Sequence, residues 1–136
     1  MKTAQAAQRQ PERVTAMNDL KQRTKQFALR VIKLTESLPN GRVGDVLGRQ
    51  LLRSGTSVAA NYRSACRARS VADFQSKMGI VEEEADESAL WLELITESGQ
   101  MTAEKTASLL AEASELTAIA VASIRTSRIN SRTKKA

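Results

Sequence analysis

Four stretches of this chain repeat their apolar residues every three or four positions, and short polar breaks separate them; that spacing constrains the fold more than any motif does. In the first, from about Asn18 to Leu38, Leu20, Phe27, Val31, Leu34 and Leu38 share one helical face, and Pro39-Asn40-Gly41 ends the segment. The second, from about Val43 to Arg67, places Val43, Leu47, Leu51, Val58, Tyr62 and Cys66 inward. Its low-propensity run Ser54-Gly55-Thr56-Ser57 invites a break, but the phase of Leu47 and Leu51 resumes at Val58 and Tyr62 without a shift. One continuous helix is therefore predicted, with small residues that let a neighbour approach closely. The third opens on Ser70 as N-cap, with Asp73 three residues on, and runs to about Ser98 on Phe74, Met78, Val81, Ala85, Ala89, Leu92 and Ile95. Gly99 suits its C-terminus, and Thr102 with Glu104 opens the fourth, whose line is Leu109, Ala113, Leu116, Ala120 and Ile124, flanked by Leu110 and Val121.

Helices over about 18–38, 43–67, 70–98 and 102–129, joined by connections of a few residues, predict an all-α, antiparallel up-and-down four-helix bundle in one domain. A composition of 3% aromatic residues, six Gly and two Pro in 136 residues favours long helices over a sheet. Residues 1–17 lack an apolar period and read as a flexible segment, either a mobile tail or a frayed helix start. Residues 130–136 read as a basic tail, unstructured alone.

The chain contains no histidine, which removes the commonest general base, the Ser-His and Cys-His pairs, and the histidines of a bundle-type di-metal site. Cys66 is the only cysteine, without an acid-base partner nearby, and reads as a small packing residue. No Gly-rich phosphate loop is present. The expectation is a non-enzymatic protein with no cofactor and no metal. No apolar run approaches the roughly 18 residues of a membrane span, so a cytoplasmic protein without a membrane partner is expected.

Charge is unevenly placed. Residues 1–69 hold 14 Lys and Arg against 4 acids, residues 70–115 hold 2 against 11, and residues 116–136 hold 5 against none. Within the second helix Arg42, Arg49, Arg53, Arg63 and Arg67 lie within roughly 80° of one another on the face opposite Leu51, Val58 and Tyr62. A row about 38 Å long could follow several phosphates of a nucleic-acid backbone, each met by a planar guanidinium fork. The plainer alternative is a solvated charged face. Arg128, Arg132, Lys134 and Lys135 of the tail join the binding candidates. On the third helix, Glu82, Glu83, Asp86, Glu93 and Glu97 lie away from the Phe74 line, solvated or paired with basic residues; Glu83 and Glu87 are candidates for contact with a neighbouring subunit. Ile80, Trp91 and Leu94 form a second apolar strip, which means either a thick core or an oligomer interface.

The segment from Leu51 through Ser57-Val58-Ala59-Ala60-Asn61-Tyr62-Arg63 and Cys66-Arg67-Ala68-Arg69-Ser70, with Glu82-Glu83-Glu84-Ala85-Asp86-Glu87-Ser88 and Trp91-Leu92-Glu93-Leu94, resembles the bacterial 23S ribosomal RNA intervening-sequence proteins. That family includes the accessory (Avd) proteins of diversity-generating retroelements. The resemblance runs from about Asp19 to Ile129. Many relatives follow the Asn with Ile-Ala-Glu-Gly; here Asn61 is followed by Tyr62-Arg63-Ser64-Ala65, as in another branch. The resemblance implies a barrel-like homopentamer with a basic surface and no catalytic residues. In the retroelement branch it implies association with a reverse transcriptase and with RNA or DNA; the alternative is a structural or regulatory oligomer without a polymerase partner.

Overall fold

The computed structural model describes the backbone of residues 2–135 and the side chains of residues 16–133. Four helices follow one another, α1 Lys2–Glu36, α2 Arg42–Ala65, α3 Val71–Glu97 and α4 Ala103–Lys135, and no strand occurs among the described residues. The segments expected outside the bundle helices instead continue them: α1 begins at Lys2 and α4 reaches Lys135. Absence of an apolar period removes a reason for burial, not the helix preference of the Ala, Gln, Lys and Arg that fill much of both segments.

The helices pair as an antiparallel ring. Along α1 and α2, Val31 meets Gly55 and Leu38 meets Gly48; along α2 and α3, Ser54 meets Ser88 and Arg53 meets Glu87. Along α3 and α4, Gln75 meets Ser127 and Thr96 meets Thr106. For α1 with α2 and for α3 with α4 the residue number rises on one helix as it falls on the other, and the short connection between Ala65 and Val71 turns α3 back along α2. α1 packs closely on α2 and only sparsely on α4, where Arg23 and Arg30 reach across to Glu112 and Ser108.

The connections follow from local chemistry. Gly41 and Gly99 both hold positive φ, 152° and 82°, a region where a Cβ would be strained. After α3, Gln100 N–H donates to Ile95 C=O at 2.9 Å and Gly99 N–H to Thr96 C=O at 3.0 Å, so the last carbonyls are satisfied as in a Schellman ending. Ser70 Oγ accepts from Asp73 N–H at 3.0 Å, the expected cap. The Asp73 carboxylate accepts from the backbone N–H of Arg69 at 3.2 Å, one residue earlier than a capping box places it.

Phe27, Val31, Leu51, Val58, Tyr62, Met78, Val81, Ala85, Leu92, Ile95, Leu109, Ala113, Leu116 and Ala120 are buried in one core. Val43, expected inward, is 47% exposed. Gly44 and Gly48 take the inward line in its place, because the connection that follows α1 lies too close for a side chain. A Cβ on Gly44 would meet the Pro39 carbonyl oxygen at 2.7 Å, and one on Gly48 would meet Leu38 at 3.0 Å. At Gly55 it would meet Val31 at 2.7 Å, so the run through Ser54 and Gly55 stays helical and is where α1 presses against α2. Buried hydroxyls beside these contacts are bonded: Ser54 to Ser88 at 2.8 Å and Thr106 to Thr96 at 2.7 Å, as burial of polar groups requires.

The expectation that no segment has the length and apolarity of a membrane span does not hold for α4, which over Ala103–Thr133 is long and apolar enough by composition. Its alanines, leucines, isoleucines and valine raise the mean hydropathy, while interspersed Ser, Thr and Glu keep them from forming an evident apolar run. In this fold its line from Leu109 to Ile124 packs into the core.

Candidate polyanion-binding surface

Arg42, Arg49, Arg53 and Arg63 are exposed on the side of α2 away from Leu51, Val58 and Tyr62, as their phase predicts; Arg67, expected on the same helix, is exposed in the turn that follows it, because α2 ends at Ala65. They are not equivalent. Arg53 donates from Nη2 to Glu87 Oε1 at 2.8 Å and from Nη1 to the Glu84 carboxylate at 3.3 Å, which ties α2 to α3. Glu87, a candidate for intersubunit contact, is thereby engaged within its own chain. Proximity across antiparallel helices brings these groups together, and no local pattern in either helix announces it.

Other cations are held in the same way. Arg23 forms a bidentate pair with Glu112 at 2.7 and 2.8 Å and reaches Glu115 at 2.9 Å. That hydrogen-bonded guanidinium holds the Glu112 carboxyl below the usual carboxylate range. Arg30 donates to Ser108 at 2.8 Å, and Lys77 lies 3.6 Å from Asp73. By contrast Arg42, Arg49, Arg63 and Arg67 have no acidic partner among the described residues. Arg128 and Arg132 are exposed near the end of α4, beyond the bond from Gln75 to Ser127; Lys134 and Lys135 lie outside the residues whose side chains are described.

A cleft of about 410 Å³ opens between α1 and α2, lined by Lys21, Lys25, Ala59, Ala60 and Arg63. Sequence reasoning placed Arg63 on the stripe and missed the two lysines. They stand one turn apart on α1, and only the antiparallel pairing of α1 with α2 carries them to Arg63. The one legible signal is the small pair Ala59-Ala60, a gap in side-chain bulk beside a cation.

The acidic face of α3 is as expected for Glu83, Asp86, Glu93 and Glu97, which are exposed. Glu82 is half-buried. The apolar strip divides. Trp91 packs against the core, and its buried indole N–H has no acceptor among the described residues. Ile80 and Leu94 stay on the surface, each 38% exposed. Cys66, half-buried, ends α2. Burial first, and contact with Cys66 second, raise the Tyr62 phenol above its ordinary range. Among the described residues no group of His, Cys, Asp or Glu side chains could hold a metal ion.

Fold and surface together define a class: an antiparallel four-helix bundle whose basic and acidic faces are borne by different helices. Within that class, the chain belongs to the 23S rRNA-intervening sequence protein family, whose model matches residues 17–122. A solved structure, from the S23 ribosomal protein family of Bacteroides thetaiotaomicron VPI-5482 and described as a protein of unknown function, is similar to it. The identity is 36% and the TM-score 0.72, over 76% of this chain and 96% of that one. Comparison with curated proteins gives no match.

Proposed function

We propose that this protein binds nucleic acid through backbone phosphates and acts without catalysing a reaction. The observation that carries the reading is that Arg42, Arg49 and Arg63 along α2, and Arg67 in the turn that ends it, stand exposed without acidic partners among the described residues, whereas Arg23, Arg53 and Lys77 are paired. Few aromatics are available to stack on bases, so recognition rests on charge and shape. Four phosphate contacts at a slope of about 0.7 each on a single strand correspond to roughly a 50-fold loss of affinity between 50 and 200 mM salt. A titration of RNA and DNA oligonucleotides against salt measures this. Binding indifferent to salt, or unchanged by Arg49→Glu with Arg67→Glu, removes the reading.

In its finer form, which rests on the family resemblance alone, the chain is an accessory of a reverse transcriptase in a diversity-generating retroelement. Affinity capture from the native cell after RNase treatment tests it: a retained polymerase supports this form, and its absence before and after RNase discards it.

A second reading is an oligomer, and a specific match favours it. The outer face of α3 carries Ile80, Glu83, Leu90 and Leu94 at helical spacing, beside the Glu87 that Arg53 engages within the chain. The outer face of α2 carries Arg42, Val46 and Arg49 in the same rhythm. Acidic-apolar and basic-apolar seams of equal period can join two copies head to tail, and unlike faces of this kind close into rings. The proposed ring is the homopentamer implied by the family resemblance. Light scattering on Ile80→Asp with Leu94→Asp decides it; an unchanged mass discards this seam. The same measurement on the Arg49 and Arg67 variant shows whether lost RNA binding is secondary to lost assembly.

A further inference from the structure

The cleft between α1 and α2 is a place where the fold gathers like charge without answering it. Lys21 and Lys25 line it from α1, and Ala59, Ala60 and Arg63 from α2. None of the three cations pairs with a carboxylate among the described residues. Elsewhere α1 does the opposite: Arg23, between the two lysines in sequence, is turned toward α4 and held by Glu112 and Glu115. Lys21 is half-buried while Lys25 and Arg63 are exposed, and three like charges around one cleft favour an external anion.

We propose that this cleft is a phosphate-binding site, seating one phosphoryl group of the backbone of a bound polynucleotide. The chemistry of the lining fits. A guanidinium offers two parallel N–H donors to a pair of phosphate oxygens, and two ammonium groups supply mobile point charges for the remaining oxygens. The alanines set the access: a lining without bulk lets a tetrahedral anion come down between the helices, and any larger side chain at position 59 or 60 fills the space. Arg63 also belongs to the exposed α2 row, so a strand following that row passes over the cleft, which anchors it at one point. The site rests on the nucleic-acid reading for its source of phosphate. A free phosphorylated metabolite offers the same group.

The test uses the full chain and three probes: inorganic phosphate, AMP, and a single-stranded RNA oligonucleotide. Binding is followed by amide and side-chain NMR shifts at Ala59, Ala60 and Arg63. Variants are Lys25→Gln with Arg63→Gln in the cleft, Ala60→Leu to fill it, and Arg49→Gln as a charge control outside it; circular dichroism confirms that each folds. The cleft pair is expected to weaken RNA at least about tenfold and to lower the salt slope by about 1. Ala60→Leu is expected to weaken RNA binding with the charge intact, and Arg49→Gln to weaken it less than either. RNA binding that the cleft variants leave unchanged overturns the site and spares the nucleic-acid reading. Shifts with phosphate or AMP at the cleft, in a protein that binds no RNA, keep a phosphate site and discard its polynucleotide source. Silence with all three probes discards both.

Discussion

Arg23 shows how single side chains set the behaviour of this protein with pH. Its hydrogen bonds lower the Glu112 pKa in the folded chain relative to the unfolded one. The resulting stabilisation is fully present above the ordinary carboxylate range, about pH 4.3, and is lost as pH falls through the lowered folded value. With Arg23 35% exposed, screening limits the pair to on the order of 1 kcal/mol at most. Arg23→Gln is expected to cost that much at pH 7 by urea unfolding, and the gap from the parent chain should narrow as pH is lowered from 5 to 3. An equal gap at both values means that the carboxylate is not the cause. The pairing itself is invisible in the sequence: Arg23 and Glu112 are 89 positions apart, and neither carries a local mark of its partner.

Helix by helix, the chain is legible where the physics is local. Apolar period, the Ser70 cap and the positive-φ Gly99 each depend on neighbours within a turn or two, and the elements they imply are found in the bundle. Legibility ends where a neighbouring helix decides. Gly44 and Gly48 occupy the buried line of α2 although hydropathy nominates Val43, because Pro39 and Leu38 leave no room for a Cβ. The Lys21, Lys25 and Arg63 cleft is a product of pairing for the same reason. Gly55 supplies the direct test of close approach. Gly55→Ala favours the helix intrinsically by roughly 1 kcal/mol, yet its Cβ would lie 2.7 Å from Val31. A net destabilisation of about 1–3 kcal/mol is expected, and Val31→Ala in the same chain should recover part of it. A stabilised single variant means that α1 and α2 yield more easily than their packing indicates.

Over the whole molecule, acids concentrate on α3 and the start of α4, and, among the described residues, arginines without acidic partners on α2, the turn after it and the end of α4. Such a surface attracts polyanions and copies of itself by the same force, so the two readings predict opposed responses to competition. If phosphate backbone and acidic seam share α2, RNA added at low salt should shift the mass distribution in light scattering. If they use separate parts of it, mass and RNA occupancy should vary independently.

Trp91 makes such experiments readable without a label. It is the only tryptophan, its indole N–H is sealed without an acceptor, and its ring lies half-buried three residues from Leu94 on the outer flank of α3. Its emission should therefore be blue-shifted in the folded chain, and acrylamide should quench it in isolated copies. Once a second copy covers Ile80 and Leu94, the quencher should lose access. The fluorescence of one residue thus becomes a built-in gauge of association, which can be followed by simple dilution.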